Sequence, residues 1–153
     1  MSALINDNFD LESDYVATPM LLAGNYTVNV TNVSWDAEKH SMVFQLVTEG
    51  NSGVKSDDTT EVDGTTLFYR IWFPRPDDSQ KLGTNGLTKR QNKINMINRA
   101  FKAMKLDLNT PEKISEAIEN GELLGTQFTA KVKLNPPDDY NPDMYNEVQN
   151  LKV

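Results

Sequence analysis

The chain has 153 residues with a formal net charge of −7, and 38% of its residues are hydrophobic and 24% charged. A chain of this length can form one domain with one hydrophobic core, and the composition is typical of a globular protein. The absence of cysteine and the presence of only one histidine, His40, exclude disulfides and thiolate chemistry and most zinc or histidine-assisted nucleophile sites. We expect neither a membrane span nor a secretory signal, because no stretch has the required apolar run.

Residues 1–19 are polar and acidic and show no sustained hydrophobic period. We expect them to form an extended, partly ordered arm. Four apolar side chains would attach this arm to the body: Phe9, Leu11, Tyr15 and Val16. Residues 20–153 show neither an internal repeat nor a second type of composition, so we expect them to form a single domain.

Five segments alternate between apolar and polar residues as strands do. They lie at 26–31, 41–49, 67–73, 125–134 and 145–153. The first two are joined by a short polar loop, which is typical of an antiparallel hairpin. In the last segment the apolar residues do not keep a period of two, and this irregularity predicts a β-bulge.

Two helices are predicted between the third and fourth strands. The first begins at Thr88, which stands three residues before Gln91 as in a capping box, and continues with apolar residues at intervals of three and four. The second begins at Thr110 and ends near Gly121. This order predicts a mainly β fold of the α+β class, a five-stranded antiparallel barrel of the oligonucleotide-binding (OB) type with helices between strands 3 and 4.

The third strand, within TTLFYRIWFPRP, is the most unusual stretch. Alternation places Phe68, Arg70 and Trp72 on one face, and strands 2 and 3 form the binding face of an OB-type barrel. An aromatic ring stacks on a nucleic-acid base with about 1–3 kcal/mol, and arginine adds cation–π and phosphate contacts. The alternative is that these rings pack beneath the helices, since large aromatic side chains are usually buried.

Positive charge is concentrated in residues 66–105, which carry nine Lys or Arg and two Asp, a local charge of +7 against −14 elsewhere. Such a division predicts one basic surface on an acidic body; the alternative is a solvated lysine-rich helix face. The candidate nucleic-acid contacts are Trp72, Phe68 and Trp35 for stacking, Arg70, Arg75, Lys81, Lys89, Arg90 and Lys93 for phosphate, and Lys131 and Lys133 as secondary phosphate contacts.

Acidic residues cluster in two predicted loops, around Asp57 and Asp63 in one and at Asp138 in the other. Paired carboxylates can hold Mg²⁺, but no phosphate-binding glycine loop or lysine motif accompanies them. We therefore expect solvated loop acids, no metal, no cofactor and no enzymatic activity. A metal-dependent nuclease remains a third hypothesis.

The motifs AGNYTVNV, LVTEG, LFYRIWF, LLGTQFTAKVKL and YNEVQNLKV, with a basic helix among them, resemble bacteriophage-encoded single-stranded-DNA-binding proteins of the OB-fold class. The resemblance covers residues 21–153. It implies sequence-independent binding and protection of single-stranded DNA, or also of RNA, in phage replication or recombination. It further implies replication or recombination proteins as partners and the cytoplasm of the infected host as location.

Many such proteins carry an acidic C-terminal tail. Here we expect the acidic arm, 1–19, to take its place by occupying the basic surface when DNA is absent. The main alternative is a phage accessory or structural protein that uses the same barrel to hold a protein partner. That alternative predicts that Arg70 and Trp72 are buried. The sequence leaves the oligomeric state open, and a homo-oligomer is among the options.

Overall fold

The computed structural model describes residues 4–152, which form five strands and two α-helices. All neighbouring strands are antiparallel. The elements in chain order are β1 (Gly24–Asp36), β2 (Ser41–Thr48), β3 (Thr66–Trp72), a 3₁₀ turn (Asp78–Gln80), α1 (Lys89–Ala103), α2 (Pro111–Glu119), β4 (Gln127–Asn135) and β5 (Tyr145–Leu151). The predicted mainly β architecture, with both helices between the third and fourth strands, is confirmed.

The sheet has the strand order β3-β2-β1-β4-β5 and is not closed into a barrel by hydrogen bonds. Its edge strands, β3 and β5, nevertheless approach each other to within 8 Å between Cα atoms, and α1 packs against both. The first helix therefore spans the opening between the two edges. No hydrogen-bonded ladder joins β3 to β5 in the described residues, so the continuous barrel ladder expected from the sequence is not present there.

β1 is long and pairs with two strands, with β4 through its first half and with β2 through its second. Between Val30 and Asn32 the register shifts by one residue, so Thr31 forms a β-bulge. A bulge bends the strand and exchanges the faces to which odd and even residues point. Val30 thus faces the core before the bulge, and Val33 packs against it afterwards. A second irregularity, on β5, confirms the bulge predicted there.

Both helices begin as the sequence predicts. The side chain of Thr88 accepts a hydrogen bond from the backbone N–H of Gln91 at 3.0 Å, and the side chain of Thr110 caps α2 in the same way. α1 buries Ala100, Phe101 and Ala103, and α2 buries Ile114 and Ala117, each set along one face. These buried residues belong to the same hydrophobic core as the inward residues of the sheet, and α1 packs against β3 and β5.

The described part of the arm, residues 4–19, contains neither helix nor strand. Its attachment is the Tyr15 hydroxyl, which donates to a carboxylate oxygen of Asp143 in the loop between β4 and β5. The other three apolar side chains expected to attach the arm are exposed. The body proper begins at Leu21, which is fully buried and whose backbone exchanges two hydrogen bonds with the side chain of Asn146.

Candidate nucleic-acid interface

The helix-free side of β3 carries Phe68, Arg70 and Trp72, which we call the outer β3 face. The Phe68 side chain is 64% exposed and that of Trp72 is 46% exposed, while the residues that alternate with this face, Leu67, Tyr69 and Ile71, point into the core. The alternative in which these rings pack beneath the helices is therefore wrong. Four residues of strand place the two rings about 13 Å apart, so each would contact a different base.

Arg70 lies between the two rings and is held by an acidic neighbour. Its guanidinium donates to Asp36 at 3.0 Å and to the hydroxyl of Ser41, and it lies 5.4 Å from the centre of the Trp72 ring. The pKa of Asp36 is lowered, first by the backbone N–H of Lys39 and then by Arg70. The charge of Arg70 is thus neutralised locally while its position beside Trp72 is fixed.

Trp35, the third predicted stacking residue, lies on the other side of the sheet. It pairs with Met42, whose side chain is fully buried. Its ring meets Phe73 edge-on at 5.2 Å between centroids and His40 at 5.1 Å. The bulge at Thr31 causes this placement, because it exchanges the two faces of β1 before the chain reaches Trp35.

A buried carboxylate forms ion pairs with positively charged side chains at the start of α1. Asp78 is 1% exposed and accepts hydrogen bonds from the backbone N–H of Arg75 and the ammonium group of Lys93, both at 2.7 Å. The Nζ of Lys89 lies 3.9 Å from its other oxygen. These contacts, first the Arg75 N–H and then Lys93, lower the pKa of Asp78 to about 2. Lys93 therefore has a structural role in the fold.

Lys81 is also paired, with Asp77 at 3.0 Å, and both side chains are more than half exposed. Arg75 donates to the backbone oxygen of Glu38 at 2.9 Å, which holds it beside the loop that follows β1. Arg90 is exposed on α1. Of the predicted phosphate contacts described so far, Arg70, Lys81, Lys89 and Lys93 therefore have acidic partners, whereas the Arg75 side chain contacts a backbone oxygen.

Lys131 and Lys133 lie on β4, away from the outer β3 face. Lys131 pairs with Asn25, whereas the row of residues that contains Phe68 crosses β1 at Asn32. Seven residues of strand separate the two rows by about 23 Å along β1. A ligand on Phe68 would have to follow β1 over this length to reach either lysine.

The predicted loop 49–65 is ordered by its own acids. Asp57 accepts hydrogen bonds from Thr59 and Thr60, which lower its pKa, and Asp63 accepts from the backbone of Asn51. Within residues 4–152, no group of three or more His, Asp or Glu side chains is arranged to hold a metal ion. The acidic side chains of this loop therefore serve to hydrogen-bond and order the loop itself.

Sequence reasoning missed a groove of about 1060 Å³ on the opposite side from the outer β3 face. It lies between α1, α2 and the ends of β1 and β3, and Trp35, His40 and Phe73 form one end of its wall. A signal for it was available: Val33 and Trp35 are apolar at odd positions, whereas Val28 and Val30 are apolar at even ones. Such a switch in parity indicates a bulge that redirects Trp35.

None of the helices in the described range 4–152 has the length and apolar character needed to cross a membrane. The site is interpreted from its geometry, because comparison with known proteins provides no relative from which a function could be transferred. No protein-family model matches the chain, and no curated protein shows significant sequence similarity to it.

Proposed function

We propose that this protein binds single-stranded nucleic acid, DNA first of all, without sequence preference and without catalysing a reaction. The observation that carries the proposal is the exposure of two aromatic rings, Phe68 and Trp72, on a strand whose alternate residues are all in the core. Exposed rings of this size stack on bases of any identity, since every base has a π face.

The fold supports the same proposal. The strand order β3-β2-β1-β4-β5, with helices between β3 and β4 and edge strands that approach each other, agrees with a partly open OB-type barrel. In that architecture strands 2 and 3 provide the binding face, and the outer β3 face lies there. Together with the resemblance to phage proteins, the fold supports our proposal that this activity serves phage replication or recombination in the infected cell, beside proteins of those pathways.

Stacking would contribute more than charge to this binding. Of the predicted phosphate contacts, Arg70 lies between the two rings on β3, where Asp36 pairs with it, and Arg75 lies in the loop after β3. With about −0.7 in log–log slope for each phosphate neutralised on a single strand, Arg75 alone predicts a slope near −0.7, because Asp36 already pairs with Arg70. All eight predicted cations acting together would give a slope of about −5.6.

The test is a titration of the intrinsic tryptophan fluorescence with oligo-dT and with a duplex of equal length, at several salt concentrations from about 50 to 200 mM. We expect quenching and tighter binding with the single strand, and a shallow salt dependence. Equal binding of duplex and single strand, or no binding of either, would contradict the proposal. A slope near the larger value would mean that the scattered cations act together.

A protein-interaction role is the second candidate, and the groove beside Trp35 favours it. An apolar groove bordered by two helices is a common receptor for a peptide segment. The two candidates use opposite sides of the sheet, so one molecule can perform both. Substitutions on the outer β3 face would then affect oligonucleotide binding alone.

A further inference from the structure

The groove between the helices has an apolar floor that the described chain leaves open. α1 contributes Ile94, Ile97 and Phe101, α2 contributes Ile114 and Ile118, and the linker contributes Leu108. No residue of the described arm, 4–19, lines it. Its volume, about 1060 Å³, matches the upper end of the range of binding pockets and is sufficient for several side chains of a peptide.

The arm is complementary to this groove, because it carries apolar side chains that are not packed in the hydrophobic core. Phe9 is 52% exposed, Leu11 80% and Val16 84%, and Leu4 and Ile5 are also exposed. So many exposed large apolar side chains on one short segment are typical of a segment that binds elsewhere. Both the groove and the arm are present once in each molecule.

The charges that line the groove would orient an acidic segment within it. Residues 1–19 contain four acids and neither Lys nor Arg. The sequence of α1, KRQNKINMINRAFKA, contains five cations and no acid, and two of these cations, Arg90 and Lys102, line the groove. The opposite wall includes Asp107 and Glu119. An acidic peptide would therefore lie against the α1 side of the groove.

The arm of a molecule leaves its body at the end remote from its own groove. Leu21 and Tyr15 are held at the start of β5 and at the loop before it, by Asn146 and Asp143. The groove lies where β1 ends, and the eleven residues from Gly24 to Trp35 follow about 36 Å of strand. The six residues from Tyr15 to Phe9 span about 20 Å when fully extended. The reach of the arm from Tyr15 to Phe9 is thus shorter than the strand path to its own groove, which favours docking between molecules.

We propose that the arm of one molecule docks, through Phe9 and Leu11, in the groove between α1 and α2 of a second copy. Such a contact joins two different surfaces, so it is head-to-tail and can repeat from molecule to molecule. The inference does not depend on nucleic-acid binding, because the groove and the outer β3 face lie on opposite sides of the sheet. It also assigns the acidic arm to a site other than the phosphate-binding surface.

The experiment uses two full-length variants in sedimentation-velocity runs, alone and mixed. Phe9→Ser with Leu11→Ser removes the docking side chains but keeps the groove; Ile94→Glu places a carboxylate in the groove but keeps the arm. We expect the wild type to associate as its concentration rises, and each variant to associate at least about tenfold more weakly. The mixture should form a one-to-one dimer that does not grow, because only one arm and one groove remain functional.

Met96→Glu is the matched control, because it makes the same kind of change on α1 at an exposed position outside the groove. It should associate like the wild type, and circular-dichroism melting should show that all variants are folded. A wild type that stays monomeric up to about 1 mM overturns the proposal. So does association that both variants retain, or a mixture of folded variants that forms no dimer.

Discussion

The outer β3 face and the groove both present aromatic side chains, and they differ in what those rings contact. Trp35 in the groove is 41% exposed, close to the 46% of Trp72, yet its ring meets Phe73 and His40 edge-on. Trp72 has the guanidinium of Arg70 as its neighbour. Similar exposed fractions therefore correspond to different roles: Trp35 joins elements of the fold, whereas Trp72 presents a ring to solvent.

The substitutions with the largest expected effect distinguish the outer β3 face from the groove. Replacing Phe68 and Trp72 together by alanine removes two stacking contacts of about 1–3 kcal/mol each, so affinity for oligo-dT should fall about a hundredfold or more. Thermal stability should change little, because both rings are exposed. Trp35→Ala should do the opposite: it should lower the melting temperature by a few degrees, since an aromatic pair contributes about 0.5–1.5 kcal/mol, and leave affinity unchanged.

Fluorescence anisotropy of a labelled oligonucleotide measures both affinities without relying on tryptophan emission. If Trp35→Ala weakened binding as strongly as the double variant, the groove and not the outer β3 face would hold the nucleic acid. If only one of the single substitutions, Phe68→Ala or Trp72→Ala, weakened oligonucleotide binding, the interface would stack on one base only. The comparison therefore distinguishes the two aromatic regions by separate measurements of stability and affinity.

The next effect concerns Asp78, which connects the end of β3 with α1. Its folded-state pKa, about 2, is below its ordinary value of 3.8, because Arg75 and Lys93 donate hydrogen bonds to the ionised carboxylate. A lowered pKa means that this stabilisation is complete above about pH 4 and is lost as the pH falls toward 2. Asp78→Asn should lower the melting temperature by about 5 °C at pH 7, and the difference from wild type should vanish near pH 2.

Asp77→Asn is the control. Asp77 pairs with Lys81, which lowers its pKa as well, but both side chains are mostly exposed, so the melting temperature should change by about 1 °C or less. Other carboxylates titrate in the same pH range, but they do so in wild type and variant alike. A difference for Asp78→Asn that persists unchanged at pH 2 would show that its carboxylate charge does not stabilise the fold.

The alternation of β3 could be predicted from sequence because the strand has no bulge. Its period of two correctly assigned Phe68, Arg70 and Trp72 to one face and Tyr69 to the core. The helix starts were equally predictable, since the caps at Thr88 and Thr110 act within four residues. Local rules of this kind are sufficient where no distant part of the chain intervenes.

The position of Trp35 and the charge of the binding surface could not be predicted by the same rules. One extra residue, Thr31, transfers Trp35 to the other face, so a uniform period of two assigns it wrongly, although the apolar residues switch from even to odd positions there. Likewise the pairing of Lys93 with Asp78, fifteen positions apart, depends on how α1 docks. The charges along the sequence predict a basic segment, whereas the fold pairs four of its cations, Arg70, Lys81, Lys89 and Lys93, with acidic side chains.

The smallest expected effect tests Arg70 within the outer β3 face. Asp36→Asn removes the carboxylate that now pairs with the guanidinium, while the asparagine oxygen can still accept from the N–H of Lys39. Arg70 would then be free to pair with a phosphate. Affinity for oligo-dT at low salt should rise about two- to fivefold, and the salt slope should become steeper by at most about 0.7.

Glu38→Gln is the matched control, because it makes the same change in net charge in the adjacent, exposed loop. Equal gains in both variants would mean that the overall field, and not Arg70, determines the response. A loss of affinity in Asp36→Asn would mean that Asp36 is needed to hold the guanidinium 5.4 Å from the Trp72 ring. In that case Arg70 would act by positioning the stacking ring, and the phosphate contact would be made by Arg75 in the loop that follows β3.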